Sequence, residues 1–126
     1  MSTTPIKVAL IEDDQALVAM YRAKLEHDGF EVKTASDGIA GYELIDEFGP
    51  DIALVDVMMP ETTGVEMMSI LRRSKHFDNV KVIVMTNLDD QKLMKSLQDM
   101  GISDYIVKAE TTPQGVSDKI HALLGR

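Results

Sequence analysis

The fold of this chain is constrained most by a regular alternation of short strand-like runs with longer amphipathic stretches, repeated five times in 126 residues. A short apolar run bounded by polar or turn residues is typical of a buried strand, and a 3.6-residue apolar period is typical of a helix. Strands are predicted at 6–12, 30–35, 51–56, 80–85 and 103–107. Helices are predicted at 15–28, 37–48, 64–74, 89–100 and from about 112 to 124. The second strand is the most polar, as expected for an edge strand.

This order of elements predicts an α/β protein. Strands that alternate with helices form βαβ units, which build a parallel sheet covered by helices on both faces. Because the crossovers are right-handed, few topologies remain. We predict a doubly wound, flavodoxin-like sheet of five strands in the order 2-1-3-4-5. With no linker or repeat in the chain, residues 1–126 are expected to form one domain, with its core from about 5 to 125 and no second domain.

Composition and charge exclude several classes of function. The net charge of −8 and the scattered lysines and arginines argue against direct nucleic-acid binding. The chain has no cysteine, so it forms neither disulfides nor thiolate metal sites. No segment approaches the roughly 20 apolar residues of a membrane span, and the first residues lack the apolar core of a signal peptide. A cytoplasmic protein without membrane insertion is expected.

Acidic residues stand at the ends of two predicted strands. Glu12 ends the first strand, Asp13 follows it, and Asp56 ends the third. Strand order 2-1-3-4-5 places these two strands side by side, and ligands of open parallel sheets bind at the carboxyl ends of the strands. Carboxylates crowded together are costly unless a proton or a cation neutralises them. A pocket for a hard divalent metal is therefore predicted. Asp14 is interpreted as a helix cap instead.

Four motifs in register with four strand ends resemble one family. They are Glu12-Asp13, then Asp56-Val57-Met58-Met59-Pro60 with Gly64, then Thr86, then Tyr105-Ile106-Val107-Lys108. In order and spacing they are similar to the response-regulator receiver domain, the phosphorylatable CheY-like module of two-component and phosphorelay signalling. The resemblance covers essentially the whole chain.

The resemblance implies a role for each motif. Asp56 would be the phosphoacceptor. Glu12, Asp13, Asp56 and the backbone carbonyl of Met58 would hold Mg²⁺, which favours oxygen ligands and keeps several waters. Lys108 and Thr86 would contact the phosphoryl group. Pro60 and Gly64 would shape the turn into the third helix.

The resemblance also implies a switch and partners. Phosphorylation would draw Thr86 inward and let Tyr105 turn, which changes the face formed by helix 4, strand 5, helix 5 and the 87–90 loop. The chain would be a phosphoacceptor rather than an enzyme, with only slow self-dephosphorylation. A histidine kinase or phosphotransfer protein would supply the phosphoryl group, and a downstream protein would dock on the changed face.

Three residues depart from the usual receiver sequence. Ala109 follows Lys108 where proline with a cis peptide bond is common, so a trans bond is expected here, since cis without proline costs about 2.5–4 kcal/mol. Asn87 follows Thr86 where a small residue is usual, and it could narrow access to the pocket. Met58 is apolar and is unable to position a water. Both Asn87 and Met58 predict a long-lived phosphoryl group.

Three other functions compete with the receiver interpretation. A flavin-binding module needs a hydroxyl- and glycine-rich loop after the first strand, where this chain has Glu12, Asp13 and Asp14. An Asp-x-Asp phosphatase needs a second aspartate where Met58 stands. An unphosphorylated receiver-fold docking module is the main alternative, although it would be expected to lack one of the pocket residues.

Overall fold

The central element is a five-stranded parallel sheet. The computed structural model of the protein describes residues 4–58, 62–87 and 91–126. The strands are β1 (Lys7–Ile11), β2 (Glu31–Ala35), β3 (Ile52–Asp56), β4 (Lys81–Thr86) and β5 (Asp104–Val107). They pair in parallel in the order β2-β1-β3-β4-β5. The predicted doubly wound architecture is confirmed, with the polar second strand at an edge.

Five α-helices in the described residues cover both faces of this sheet: α1 (Gln15–His27), α2 (Gly38–Phe48), α3 (Gly64–Leu71), α4 (Gln91–Asp99) and α5 (Pro113–Leu124). One apolar cluster joins the inward residues of α1 and α5 to one face of the sheet. A second cluster joins those of α2, α3 and α4 to the opposite face. Alternating strand side chains feed the two clusters, so the sheet is buried on both sides.

Polar side chains fix where several helices begin. Asp14 caps α1, its Oδ1 accepting from the backbone N–H groups of Ala16 and Leu17 at 3.0 and 3.2 Å. The prediction that Asp14 is a cap is therefore confirmed. Thr112 caps α5 in the same way, with Pro113 in the first turn. Asp89, the first residue of the predicted fourth helix and a candidate for its N-cap, lies outside the described residues.

The third helix is shorter than predicted. Its expected end was residue 74, but α3 ends at Leu71. The chain then turns, because the Ser74 backbone N–H donates to the Leu71 carbonyl at 3.1 Å, a three-residue spacing. The Ser74 hydroxyl also donates to Asp46 of α2 at 3.1 Å. This hydrogen bond holds the turn against α2, and a short 3₁₀ helix follows at Phe77–Asn79.

The chain carries no membrane-spanning candidate among its described helices. Within residues 4–58, 62–87 and 91–126, each helix is too short or too polar to cross a bilayer.

Candidate functional site

The site lies at the carboxyl edge of the sheet, where β1 and β3 are neighbours. Ile11 and Val55 are paired in the register of these strands, so the next residues, Glu12 and Asp56, emerge at the same level. The Glu12 backbone N–H donates to the Ala35 carbonyl at the end of β2, at 3.0 Å. Strand pairing on both sides of β1 therefore positions the first acidic residue.

Three carboxylates converge there. Glu12, Asp13 and Asp56 each offer an oxygen, and these oxygens lie within 4.8 Å of one another. Glu12 is 1 % exposed and Asp56 is 3 % exposed, whereas Asp13 faces solvent. The cluster thus has two buried carboxylates and one carboxylate at its open side.

A buried lysine joins this cluster from the other half of the sheet. Lys108 follows β5 directly, and its side chain is only 9 % exposed. Its Nζ lies 2.6 Å from Oε1 of Glu12 and 3.5 Å from Oδ2 of Asp56. One ammonium thus bridges two carboxylates and leaves the cluster with excess negative charge.

Backbone amides hold the carboxylates in place. The Met58 N–H donates to Oδ1 of Asp56 at 2.9 Å, and the Asp14 N–H donates to Oε2 of Glu12 at 3.3 Å. Oδ2 of Asp56 faces Lys108. These bonds fix the orientation of both buried side chains.

Burial and neighbouring charges shift the pKa values of the pair. Burial first, and then the Asp56 carboxylate, raises the pKa of Glu12 to about 7, although Lys108 opposes the shift. Burial lowers the pKa of Lys108, but the hydrogen bond to Glu12 and the charge of Asp56 outweigh it, and the net shift is upward. The two directions are compatible because Lys108 has Asp56 as a second anionic partner. Lys108 is therefore protonated at neutral pH, and the Glu12 carboxyl beside it has a pKa of about 7.

The remaining candidates surround this centre. Thr86 is fully buried at the end of β4, opposite Val107 of β5. Tyr105 pairs with Val84, two residues before Thr86, so both side chains belong to the same face of the sheet. Tyr105 is half-buried against the cluster under α2, α3 and α4.

The positions that depart from the receiver pattern are also placed. The Lys108–Ala109 peptide bond is trans, as expected, and no cis bond occurs in the described part of the chain. Asn87 is exposed directly after Thr86, and Met58 is 41 % exposed. Gly64 begins α3, whereas Pro60 lies outside the described residues.

The donor set fits Mg²⁺ better than a softer metal. It consists of carboxylate oxygens at one open edge, without histidine or thiolate. Magnesium favours a few carboxylates and retains much of its water. The three carboxylates carry more negative charge than Lys108 neutralises, and this excess charge attracts a divalent cation.

Two contacts in the site were not predicted from the sequence. The Glu12–Lys108 ion pair joins residues 96 positions apart, and the Met58 amide orients Asp56. The resemblance to receiver domains implied that Lys108 would lie near Asp56, because both would contact the phosphoryl group. The shorter distance to Glu12 depends on side-chain conformation, which carries no signal in the sequence.

The sequence matches the response regulator receiver domain family over residues 8–119. Among curated proteins, it is 31 % identical over 120 residues to the phosphate regulon transcriptional regulatory protein PhoB of Rhizobium meliloti, which covers 95 % of this chain and 52 % of that protein. The chain spans about half or less of the curated relatives it matches.

Solved structures share the fold. A CheY-like receiver domain protein from Methanospirillum hungatei superimposes with a TM-score of 0.87 at 23 % identity, covering 97 % of this chain and 95 % of that one. The receiver domain of the sensor histidine kinase PA1611 from Pseudomonas aeruginosa gives a TM-score of 0.83 at 20 % identity, with coverage of 98 % and 100 %. That structure holds a magnesium ion in its active site cleft.

Proposed function

Because the chain belongs to the response regulator receiver domain family, we propose that Asp56 accepts a phosphoryl group in a Mg²⁺-dependent reaction. The observation that carries the proposal is the convergence of Lys108 with Glu12, Asp13 and Asp56 at one edge of the sheet. Receiver domains are phosphoacceptor modules of two-component signalling that generally bind Mg²⁺ in an acidic pocket, and this chain has such a pocket.

Asp56 is the nucleophile in this proposal. One of its carboxylate oxygens attacks the phosphorus of a phosphohistidine on the donor protein. An O–P bond forms, the P–N bond breaks, and the departing imidazole keeps the electron pair and takes a proton from solvent. The hydrogen bond from the Met58 amide to Oδ1 holds the carboxylate in a single orientation for this attack.

The residues around Asp56 stabilise the negative charge of the incoming phosphoryl group in this proposal. Glu12, Asp13, Asp56 and the Met58 carbonyl would hold Mg²⁺, which offsets the negative charge of the incoming phosphoryl oxygens. Lys108 moves its ammonium from Glu12 toward a phosphoryl oxygen, a short step given the 3.5 Å separation from Asp56. Thr86 donates its hydroxyl to another phosphoryl oxygen.

The phosphorylated form acts on a partner. Thr86 moves toward the phosphoryl group, and Tyr105 turns into the space behind it, on the same face of the sheet. The surface of α4, β5 and α5 changes, and a downstream protein docks there. The relatives include a hybrid histidine kinase and transcriptional regulators, which supports a histidine kinase or phosphotransfer protein as donor. The slow hydrolysis of the acyl phosphate is proposed to need no other enzyme.

Phosphorylation of the intact chain by acetyl phosphate and Mg²⁺ tests the proposal. A phosphate-affinity gel should retard the wild type but not Asp56→Ala, whereas Asp99→Asn, at an exposed aspartate in α4, should behave as the wild type does. Hydroxylamine should reverse the shift, because it cleaves acyl phosphates. Chelation of Mg²⁺ should abolish the modification.

The opposite result favours the main alternative. A wild type that stays unmodified with small-molecule and protein donors, although its fold is intact, would indicate a receiver-fold docking module that works without phosphorylation. Modification that persists in Asp56→Ala would place the phosphoacceptor elsewhere.

A further inference from the structure

We propose that the groove between α2 and α3 is a docking site for a positively charged amphipathic helix of a partner protein. The groove has a volume of about 510 Å³ and lies between the start of α2 and the side of α3. It contains none of the residues proposed for phosphoryl transfer. The inference therefore does not depend on the proposed function.

The groove presents apolar surface to solvent. Ile39, on its α2 side, is 67 % exposed, more than any other large apolar side chain in the described residues. Ile70, on its α3 side, is half-buried. At Gly38 a Cβ would lie 3.2 Å from Cδ1 of Ile70, so the two helices approach closely at the base of the groove. A single exposed apolar residue is common, but one beside a concave apolar surface is typical of a contact site.

Acidic residues border this apolar surface. Asp37 and Glu43 line the groove itself. Glu43 lies one helical turn after Ile39, and Glu66 lies one turn before Ile70, so each carboxylate is on the same side of its helix as the isoleucine. Neither Gly38–Phe48 nor Gly64–Leu71 contains a lysine, arginine or histidine, and the nearest basic residues in sequence are the exposed Arg72 and Arg73, just past the end of α3. An apolar contact is thus flanked by carboxylates on both helices.

Charge complementarity selects the occupant. A second copy of the chain would bring the same acidic surface and a net charge of −8, and anionic lipid would also be repelled. A helix that lays its apolar stripe in a groove places side chains at i, i+3, i+4 and i+7. If the polar neighbours of that stripe are lysine or arginine, they can pair with Glu43 on one side and Glu66 on the other. A basic amphipathic helix satisfies both the apolar and the charged features.

Binding of a model helix tests the inference directly. The probe is a fluorescein-labelled peptide of about 18 leucine and lysine residues with its lysines on one face, long enough for five turns. Fluorescence anisotropy with the full chain should show saturable binding in about 0.15 M salt. Ile39→Ser and Glu43→Lys should each weaken the affinity about tenfold, as expected for central contact residues.

Matched variants on other faces are the controls. Met20→Ser removes an exposed apolar side chain from α1, and Glu31→Lys reverses an exposed charge on β2. Both should change the affinity by less than about twofold. All four residues are exposed, and circular dichroism of each variant verifies its fold. Amide chemical-shift changes caused by the peptide should centre on α2 and α3.

Several outcomes would overturn the inference. Absence of saturable binding is one, and shift changes centred outside α2 and α3 are another. If Glu31→Lys weakens binding as much as Glu43→Lys does, the attraction is general charge rather than this groove. If sedimentation reveals a dimer that Ile39→Ser dissociates, the occupant is a second copy of the chain.

Discussion

Single residues of the acidic site predict how Mg²⁺ binding depends on pH. The pKa of Glu12 is raised to about 7 by burial and then by Asp56. Below that pH, Glu12 carries a proton that Mg²⁺ must displace, so apparent affinity should rise from pH 6 to pH 8 by about tenfold and then level off. Calorimetric titration at both pH values, in buffers of different ionisation enthalpy, should detect the released proton.

The matched variant is Glu12→Gln, which has no carboxyl to titrate. It should bind Mg²⁺ more weakly at pH 8 and show a flatter dependence on pH. The free energy of unfolding depends on pH in the opposite direction from the Mg²⁺ affinity. A carboxyl with a raised pKa in the folded state favours folding at low pH, so the Mg²⁺-free wild type should lose that contribution as pH rises from about 4.5 to about 7. An equal pH dependence of Mg²⁺ affinity in Glu12→Gln would contradict the assignment.

The exposed Asn87 predicts the lifetime of the proposed acyl phosphate. It is exposed and directly follows the buried Thr86 at the end of β4, so we expect its amide to narrow the approach to Asp56. Asn87→Ala should lose its phosphoryl group about threefold faster, a change of less than 1 kcal/mol in the barrier. Release of labelled phosphate from the purified phosphoprotein measures the rate. Asn79→Ala, in the 3₁₀ helix after α3, is the control, and a wild type that decays faster than Asn87→Ala would refute the prediction.

The sequence predicted which residues lie in the site better than it predicted which of their side chains contact one another. Glu12, Asp13 and Asp56 were expected at one edge because they stand at strand ends that the strand order brings together, and the resemblance to receiver domains added Lys108. The sequence carried no signal for the 2.6 Å pair between Lys108 and Glu12 or for the burial of Glu12. Both depend on which conformation a long side chain takes once its surroundings are packed.

At the scale of elements, α2 packs closely against β1 because Gly41 of α2 has no side chain. A Cβ at Gly41 would lie 2.7 Å from Cδ1 and 3.1 Å from Cγ1 of the fully buried Ile11. Gly41→Ala should therefore cost about 1–3 kcal/mol through overpacking, reduced by about 1 kcal/mol through the better helix propensity of alanine. Urea denaturation measures the free energy of unfolding.

A second background separates packing from propensity. Ile11→Val removes Cδ1, so Gly41→Ala should destabilise the valine background less than the wild type, with a coupling energy of about 0.5–1 kcal/mol or more. Ser69→Ala, at an exposed position in α3, reports helix propensity without the clash. If Gly41→Ala costs the same in both backgrounds, the contact with Ile11 is not the cause.

The ends of elements were predicted less well than their existence. Strands and helices follow from apolar periodicity, which is present throughout the chain. The end of α3 does not follow from this periodicity, because residues 72–74 contain no glycine or proline to stop a helix. That end is fixed by the hydrogen bond from Ser74, in the turn after α3, to Asp46 of α2, a residue 28 positions away in sequence. A local pattern carries no information on such a contact.

At the scale of the whole molecule, the sheet and its helices form three surfaces that are proposed to bind ligands or partners. The acidic site occupies its carboxyl edge, α4, β5 and α5 form one side, and the α2–α3 groove forms another. The proposed phosphorylation should act on the second of these, and α3, which packs against both α2 and α4, lies between it and the third. Under the two proposals, the downstream protein and the basic helix occupy different surfaces, so both would be able to bind at the same time.

The proposed switch predicts where a phosphoryl group alters protection of the backbone. A phosphoryl group adds about −1.5 to −2 units of charge. The buried Thr86 should then shift, and Tyr105, on the same face of β4 and β5, should follow it. Hydrogen exchange with beryllium fluoride and Mg²⁺ as the phosphoryl mimic should therefore change in residues 87–105. Asp56→Ala under the same conditions should show no change. Unaltered exchange between Asn87 and Tyr105 in the wild type, despite saturating mimic, would refute the switch while leaving phosphorylation of Asp56 itself open to its own test.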